Sequence, residues 1–271
     1  MAEGVCKLCR QHQKLIRAHL MPDVLRKGIM SDVSEDLIEV DTVSGRSKIK
    51  RTLQFDPSIL CSRCDGQIGK YDEVLGSFVK SWVKHPDRDV EREFADDLVV
   101  VRQPCHVPSL VISLAAILLR FSFSGRYPEF DLGRYYEQMF SEWVRSGSLP
   151  EDVDRLFSII LIGYSADVIV SAEGRDPYDM SRVMRGQPRG GRFGHAHIYS
   201  FELPSLFFAA KVGKGGWPSR LRGYPTLENY TDEVEIPCVP FRKSMTLYEV
   251  GNSVKTNRAW IDRQRAKRAR R

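Results

Sequence analysis

The chain has 271 residues, 42% of them hydrophobic, and a formal net charge of +6. That length suits one large domain or a small module followed by a larger one, and the hydrophobic fraction is ordinary for a soluble globular protein. The first residues, "MAEGVCKLCRQ", lack the basic-then-apolar pattern of a secretory signal.

Residues 1 to 85 read as one unit. It begins with Cys6 and Cys9 in "CKLC", followed by "AHLMP" and a short helical stretch, "MPDVLRKGI", with proline near its start. The segment "DLIEVDTVSGRSKIKRTLQF" predicts a two-stranded hairpin turning at Ser44 and Gly45. Its second arm carries Arg46, Lys48, Lys50 and Arg51, a spacing of charge that suits phosphate contact or a solvated face. Then "CSRCDGQIGKYDEVLGSFVKSWVK" opens a helix whose apolar face repeats at Ile68, Tyr71, Val74, Leu75, Phe78 and Val79. Pro86 ends it. Few large apolar side chains precede Ile68, so this unit is expected to have a thin core.

Residues 90 to 250 read as a larger α+β domain with mostly antiparallel strands. "DLVVVRQ" predicts a strand. "VPSLVISLAAILLRFSFS" predicts a buried helix, too interrupted for a membrane span. Arg120 lies near its end and needs solvent or a carboxylate, so a buried ion pair is expected. "DLGRYYEQMFSEWVRSG" predicts an amphipathic helix with Asp131 as cap and Gly147 as stop. "RLFSIILIGY", "ADVIVSA" and two segments within "GHAHIYSFELPSLFFAAKV" predict strands. "QPRGGRFG" and "GKGGWPSRLRGYP" predict glycine-rich loops, available to touch nucleic acid, without the spacing of a P-loop. "GYSAD" lacks the glycine pattern of a nucleophile elbow. His195 and His197, two apart on a strand, would share a face, but no third ligand stands nearby. They are expected to be half-buried strand residues.

Residues 251 to 271 predict a basic helical tail. The last fourteen residues hold seven basic side chains, including Arg263, Arg265, Lys267, Arg268, Arg270 and Arg271, against one aspartate. The rest of the chain is therefore close to neutral. Such a tail is an electrostatic hook for a polyanion, with nucleic acid favoured and DNA ahead of RNA.

Six cysteines remain to be placed. Cys105 and Cys238 stand alone and read as small buried hydrophobes in a reducing cytoplasm. Cys6, Cys9, Cys61 and Cys64 form two Cys-x-x-Cys pairs, which supply the four thiolates of a structural zinc site. The helix opened by the second pair favours the negative charge of such a site. A knuckle, a hairpin and a helix carrying the last ligands make a treble-clef arrangement.

With "AHLMP" between the knuckles, residues 6 to about 75 resemble the zinc-stapled form of the HNH endonuclease family. The resemblance implies a ββα-metal module in which His19, of the His-x-x-Pro completed by Pro22, is the general base for phosphodiester cleavage. The family also holds a catalytic divalent cation through the residue before the base, an asparagine, and a helix residue. Here the residue before His19 is Ala18, and the first asparagine of the chain is Asn229. Only Asp65, joined by Asp72 or Glu73, offers oxygen ligands for Mg²⁺ or Mn²⁺. Three expectations follow: a zinc-binding nucleic-acid-binding protein with a degenerate nuclease site, an active Mg²⁺-dependent endonuclease using His19 with Asp65 and Glu73, or an adaptor on a zinc scaffold.

Overall fold

The computed structural model describes residues 3–25, 37–40, 47–50, 53–84, 99–127, 130–165, 185–203, 205–229 and 231–240. It is a mixed helix and strand structure with mostly antiparallel pairing. The strand expected at "ADVIVSA", the basic tail, Arg46 and Arg51 fall outside these residues. Lys48 and Lys50 lie within them only as backbone.

Four short strands surround the two cysteine pairs: β1 (Glu3–Val5), β2 (His12–Lys14), β3 (Ala18–His19) and β6 (Phe55–Asp56). β1 pairs with β2, and β3 with β6. The expected hairpin forms as β4 (Leu37–Val40) and β5 (Ser47–Lys50). Helix α1 (Ser62–Lys84) follows the second cysteine pair as its periodicity predicts. Its apolar face is Ile68, Leu75, Phe78, Val79 and Trp82, all buried.

Helix α2 (Val107–Ser124) has fifteen buried positions out of its eighteen residues, so it is covered on every side rather than along one stripe. By length and composition it could cross a membrane, but it is the central helix of the core. Helix α3 (Gly133–Ser146) ends at Gly147, as expected. Its first turn departs from the sequence expectation. Leu132 holds the N-cap position without a side-chain bond, and Asp131 instead accepts the Gly133 backbone N–H at 2.8 Å. The capping carboxylate thus sits one residue early and closes a local turn.

Six strands make the main sheet: β7 (Val99–Pro104), β8 (Phe157–Ser165), β9 (Arg185–Phe193), β10 (Ala196–Leu203), β11 (Leu206–Val212) and β12 (Glu233–Pro240). Their order is β7-β12-β8-β11-β10-β9, with only the β12–β8 pair parallel. Alternation gives the sheet two distinct faces. Phe157, Ile159, Leu161, Phe201 and Phe208 join the helices in the main core. Phe140 of α3 meets Phe157 edge-on at 4.8 Å, and Phe121 of α2 lies 6.0 Å from Phe201. On the other face Ile160, Ile162 and Ala209 are covered by Leu221, Trp217 and Tyr224 of the loop after β11.

Two expectations are corrected here. "QPRGGRFG" is not a loop: Arg185–Phe193 is an edge strand paired along β10. An edge accommodates Pro188 and three glycines because only one side must keep its ladder. The amino-terminal unit also has no thin core of its own. Leu8, Leu15, Leu20, Met21, Leu25, Leu53, Ile59 and Leu60 are all buried, in one cluster with α2, α3 and the sheet.

Polar contacts reinforce this packing. Gln103 Nε2 donates to the Phe78 carbonyl, Trp82 Nε1 to the Ser205 carbonyl and Ser113 Oγ to the Tyr71 carbonyl. Gly163 of β8 makes the close approach of α1 possible. A Cβ there would lie 2.4 Å from Trp82 and 2.9 Å from Cys238 Sγ.

Candidate metal centre

The first cysteine pair sits in a tight turn between β1 and β2. Cys6 N–H donates to the Gln11 carbonyl, and Arg10 N–H to the Cys6 carbonyl at 2.8 Å. Closing that turn puts Arg10 at φ 62°, a left-handed angle normally taken by glycine. The second pair is delivered by the short run before α1. Lys7 N–H donates to the Ile59 carbonyl, Ile16 N–H donates to the Leu60 carbonyl, and Leu15 bridges to Cys61. These links carry Cys61 to the knuckle across 55 positions of sequence. The first helical bond, from Asp65 N–H to the Cys61 carbonyl, then places Cys64 in the opening turn of α1.

The four ligand sulfurs all lie within 4.8 Å of one another. Thiolates around a tetrahedral zinc, with bonds of about 2.3 Å, stand about 3.8 Å apart. The tetrad therefore fits zinc with little adjustment. Cys6, Cys61 and Cys64 are buried and Cys9 is partly exposed.

The electrostatics point the same way. Burial would raise the Cys6 thiol, but backbone N–H groups of Cys9, Cys61 and Leu8 outweigh it and bring its pKa down to about 7. The Cys61 N–H lies 3.4 Å from Cys6 Sγ. Burial drives Cys64 strongly upward, with its neighbouring cysteines adding to the effect, and it also raises Cys9. One thiolate forms readily, and Cys9 and Cys64 resist ionising beside it. A divalent cation removes that opposition and lets all four ligate.

Cys105 and Cys238 stand apart from the tetrad. Cys238 is buried, while Cys105 is only partly so and burial pushes its thiol up to about 11.

His19 lies on β3, its backbone paired with Phe55. Ala18 before it is fully buried. Asp65 and Asp72 stand seven residues apart on α1, which puts them on one face two turns apart. Burial raises the Asp65 carboxyl; Arg120 and His19 oppose this and Asp72 adds to it. These four groups therefore share one electrostatic neighbourhood.

Asp72 is already engaged. Arg120 Nη1 and Nη2 each donate to one of its carboxylate oxygens at 2.8 Å, a two-pronged pair. Arg120 is 1% exposed and is the ion pair expected from its place on α2. Its Nε is buried without a hydrogen-bond partner. Glu73 is exposed and rotated about 80° around the helix from Asp65.

The histidine pair at 195 and 197 needs correction. His195 lies in the β9–β10 turn rather than on the strand, and both side chains are exposed rather than half-buried. A hairpin tip leaves its side chains without a second layer to cover them. The cysteine tetrad is the one metal-competent cluster of histidine, cysteine or acidic side chains among the described residues.

Compared with protein-family models, with curated proteins and with solved structures, the chain matches none.

Proposed function

We propose that the chain is a zinc-binding, nucleic-acid-binding protein whose amino-terminal module is an HNH-like treble clef with a degenerate nuclease site. The cysteine tetrad carries the zinc part of this reading. The knuckle, the run delivering Cys61 and the helix starting at Ser62 are the parts such a module needs, and His19 lies between them on a strand. Zinc there is structural: four protein thiolates leave no open position for water or substrate.

The loss of catalysis is argued from the acidic pair. Hard cations need several oxygen ligands, and here one of the two paired carboxylates holds an arginine instead. Ala18 offers no ligand, and Glu73 turns away. The active-endonuclease alternative would need Asp65 to hold Mg²⁺ or Mn²⁺ beside a positive guanidinium.

Nucleic-acid binding is argued from charge. The basic tail and the hairpin arm would neutralise phosphates and release counterions, so affinity would fall steeply with salt. The test is binding of the zinc-loaded full chain to DNA across a salt series, compared with a chain ending at Asn257, and incubation of plasmid with Mg²⁺ or Mn²⁺. The expected outcome is strongly salt-dependent binding that weakens without residues 258–271, and no cleavage. Cleavage lost on His19→Ala would replace this reading with the endonuclease. Absence of DNA and RNA binding would leave the adaptor.

A further inference from the structure

Around His19 the chain alternates in exposure. Arg17 is exposed, Ala18 buried, His19 half-buried and Leu20 buried. On the partner strand Phe55 is half-buried and Asp56 buried. Ala18 pairs with Asp56 and His19 with Phe55, and residues directly opposite in an antiparallel ladder share a face. The β3–β6 ladder therefore turns Ala18 and Asp56 inward and presents His19 and Phe55 on its other side. Arg17, two residues before His19, joins them. Its guanidinium carbon lies 3.6 Å from the centre of the Phe55 ring. Arg126 reaches the same residue from the loop after α2. Its Nη1 donates to the Phe55 carbonyl at 3.1 Å, and its Nε lies 3.1 Å from a carboxylate oxygen of Asp56.

Two guanidiniums are thus fixed on one aromatic residue beside an imidazole. Their charges are not matched alike. Asp56, turned inward, answers Arg126. Arg17 has no ion-pair partner among the described residues, and the Phe55 ring is what holds it. An exposed arginine that gives up rotamer freedom for a ring contact adds little to stability. As a recognition device the same arrangement is effective. The face of the guanidinium lies on the ring, so its N–H donors point outward from its edge, already in place before a ligand arrives. A phosphodiester accepts such a planar fork in two-pronged fashion. Asp65 is the acidic neighbour of His19, which favours a phosphate over the arginines rather than over the imidazole.

We propose that Arg17, held flat on Phe55 with Arg126 beside it, binds a phosphate of the nucleic-acid backbone next to His19. The proposal rests on the nucleic-acid reading above and adds a contact within the cysteine module itself, apart from the hairpin arm and the tail. The test is fluorescence anisotropy of the zinc-loaded full chain with a labelled DNA duplex across a salt series, with unlabelled duplex, inorganic phosphate and polyglutamate as competitors. Arg17→Ala should weaken duplex binding about fivefold near physiological salt and lower the salt slope by about one. Arg17→Lys and Phe55→Leu both keep the net charge. Each should lose part of the affinity while holding the wild-type slope, because the charge stays and the fixed fork goes. Arg17 is exposed and leucine keeps position 55 apolar, so the fold should survive; unchanged melting curves check this. Inorganic phosphate at matched ionic strength should displace the duplex only in great excess. Tight binding of phosphate alone, or displacement by polyglutamate as effective as by unlabelled duplex, would give the site to a free anion or an acidic protein and overturn the assignment to backbone. Duplex affinity and slope unchanged in Arg17→Ala, while removal of residues 258–271 weakens binding, would overturn this contact alone. No binding of duplex by the wild type would overturn both it and the broader reading.

Discussion

Arg10 holds a left-handed backbone angle, φ 62°, that costs a non-glycine residue about 1–2 kcal/mol. Its side chain offsets part of that strain by lying 5.9 Å from the centre of the Phe123 ring and 3.9 Å from the Glu137 carboxylate. The knuckle is thereby tied to α2 and α3. Asp56 makes a similar tie at the other end of the module. It is buried, accepts hydrogen bonds from Ser58 and from Ser124 Oγ, and pairs with Arg126 at 3.1 Å. Burial alone would raise its carboxyl, but those bonds and the Arg126 charge hold it below its ordinary value of 3.8. A depressed folded-state value means stability that is present above about 3.8 and lost as pH falls through the lower folded value. Asp56→Asn should therefore cost about 1–3 kcal/mol near neutral pH, and the gap from wild type should close in acid below that range. Denaturant titrations of both proteins at pH 7 and in the acid range measure it; a gap independent of pH would contradict the role given to the charge.

At the scale of elements, Arg120 and Asp72 join α2 to α1. The pair is buried deeply enough that its partners depend on each other. Arg120→Ala would leave Asp72 without its counter-charge and should destabilise the fold by about 3–5 kcal/mol. Replacing both, Arg120→Met with Asp72→Leu, should restore most of that loss, because the penalty for burying charge disappears with the charge. Zinc-saturated unfolding curves of the two variants decide this; equal losses would mean that the pair contributes through shape rather than charge. The need for a partner was legible in the sequence, since a charge near the end of an apolar helix cannot stand alone. Which carboxylate supplied it was not, because Asp72 lies 48 residues away and only helix packing brings it there. The helices themselves were legible, each with continuous apolar residues or a 3.6-residue repeat. β9 was not. Its glycines, arginines and proline say loop, and it is a strand only because β10 offers it a ladder.

For the whole molecule, the tetrad is the part of the site most plainly written in the sequence. Cys-x-x-Cys spacing fixes the chemistry of each pair, and the fold adds the approach of one pair to the other. The sequence did not reveal how far the amino-terminal unit leans on the rest. Leu8, Leu15 and Leu60 share one core with α2 and α3, so a metal that organises the knuckle also seats it against those helices. Zinc loss should accordingly lower the melting temperature of the whole described fold, not only of its first residues. The most direct measurement is the zinc content of the full chain after purification with zinc and removal of the excess, compared with Cys9→Ser. Cys9 is the partly exposed ligand, so its replacement disturbs packing least. The account predicts one zinc per wild-type chain, four thiols protected from modification until a chelator is added, and loss of both properties in Cys9→Ser. Wild-type protein that holds no zinc, or a Cys9→Ser variant that holds as much and melts at the same temperature, would contradict it.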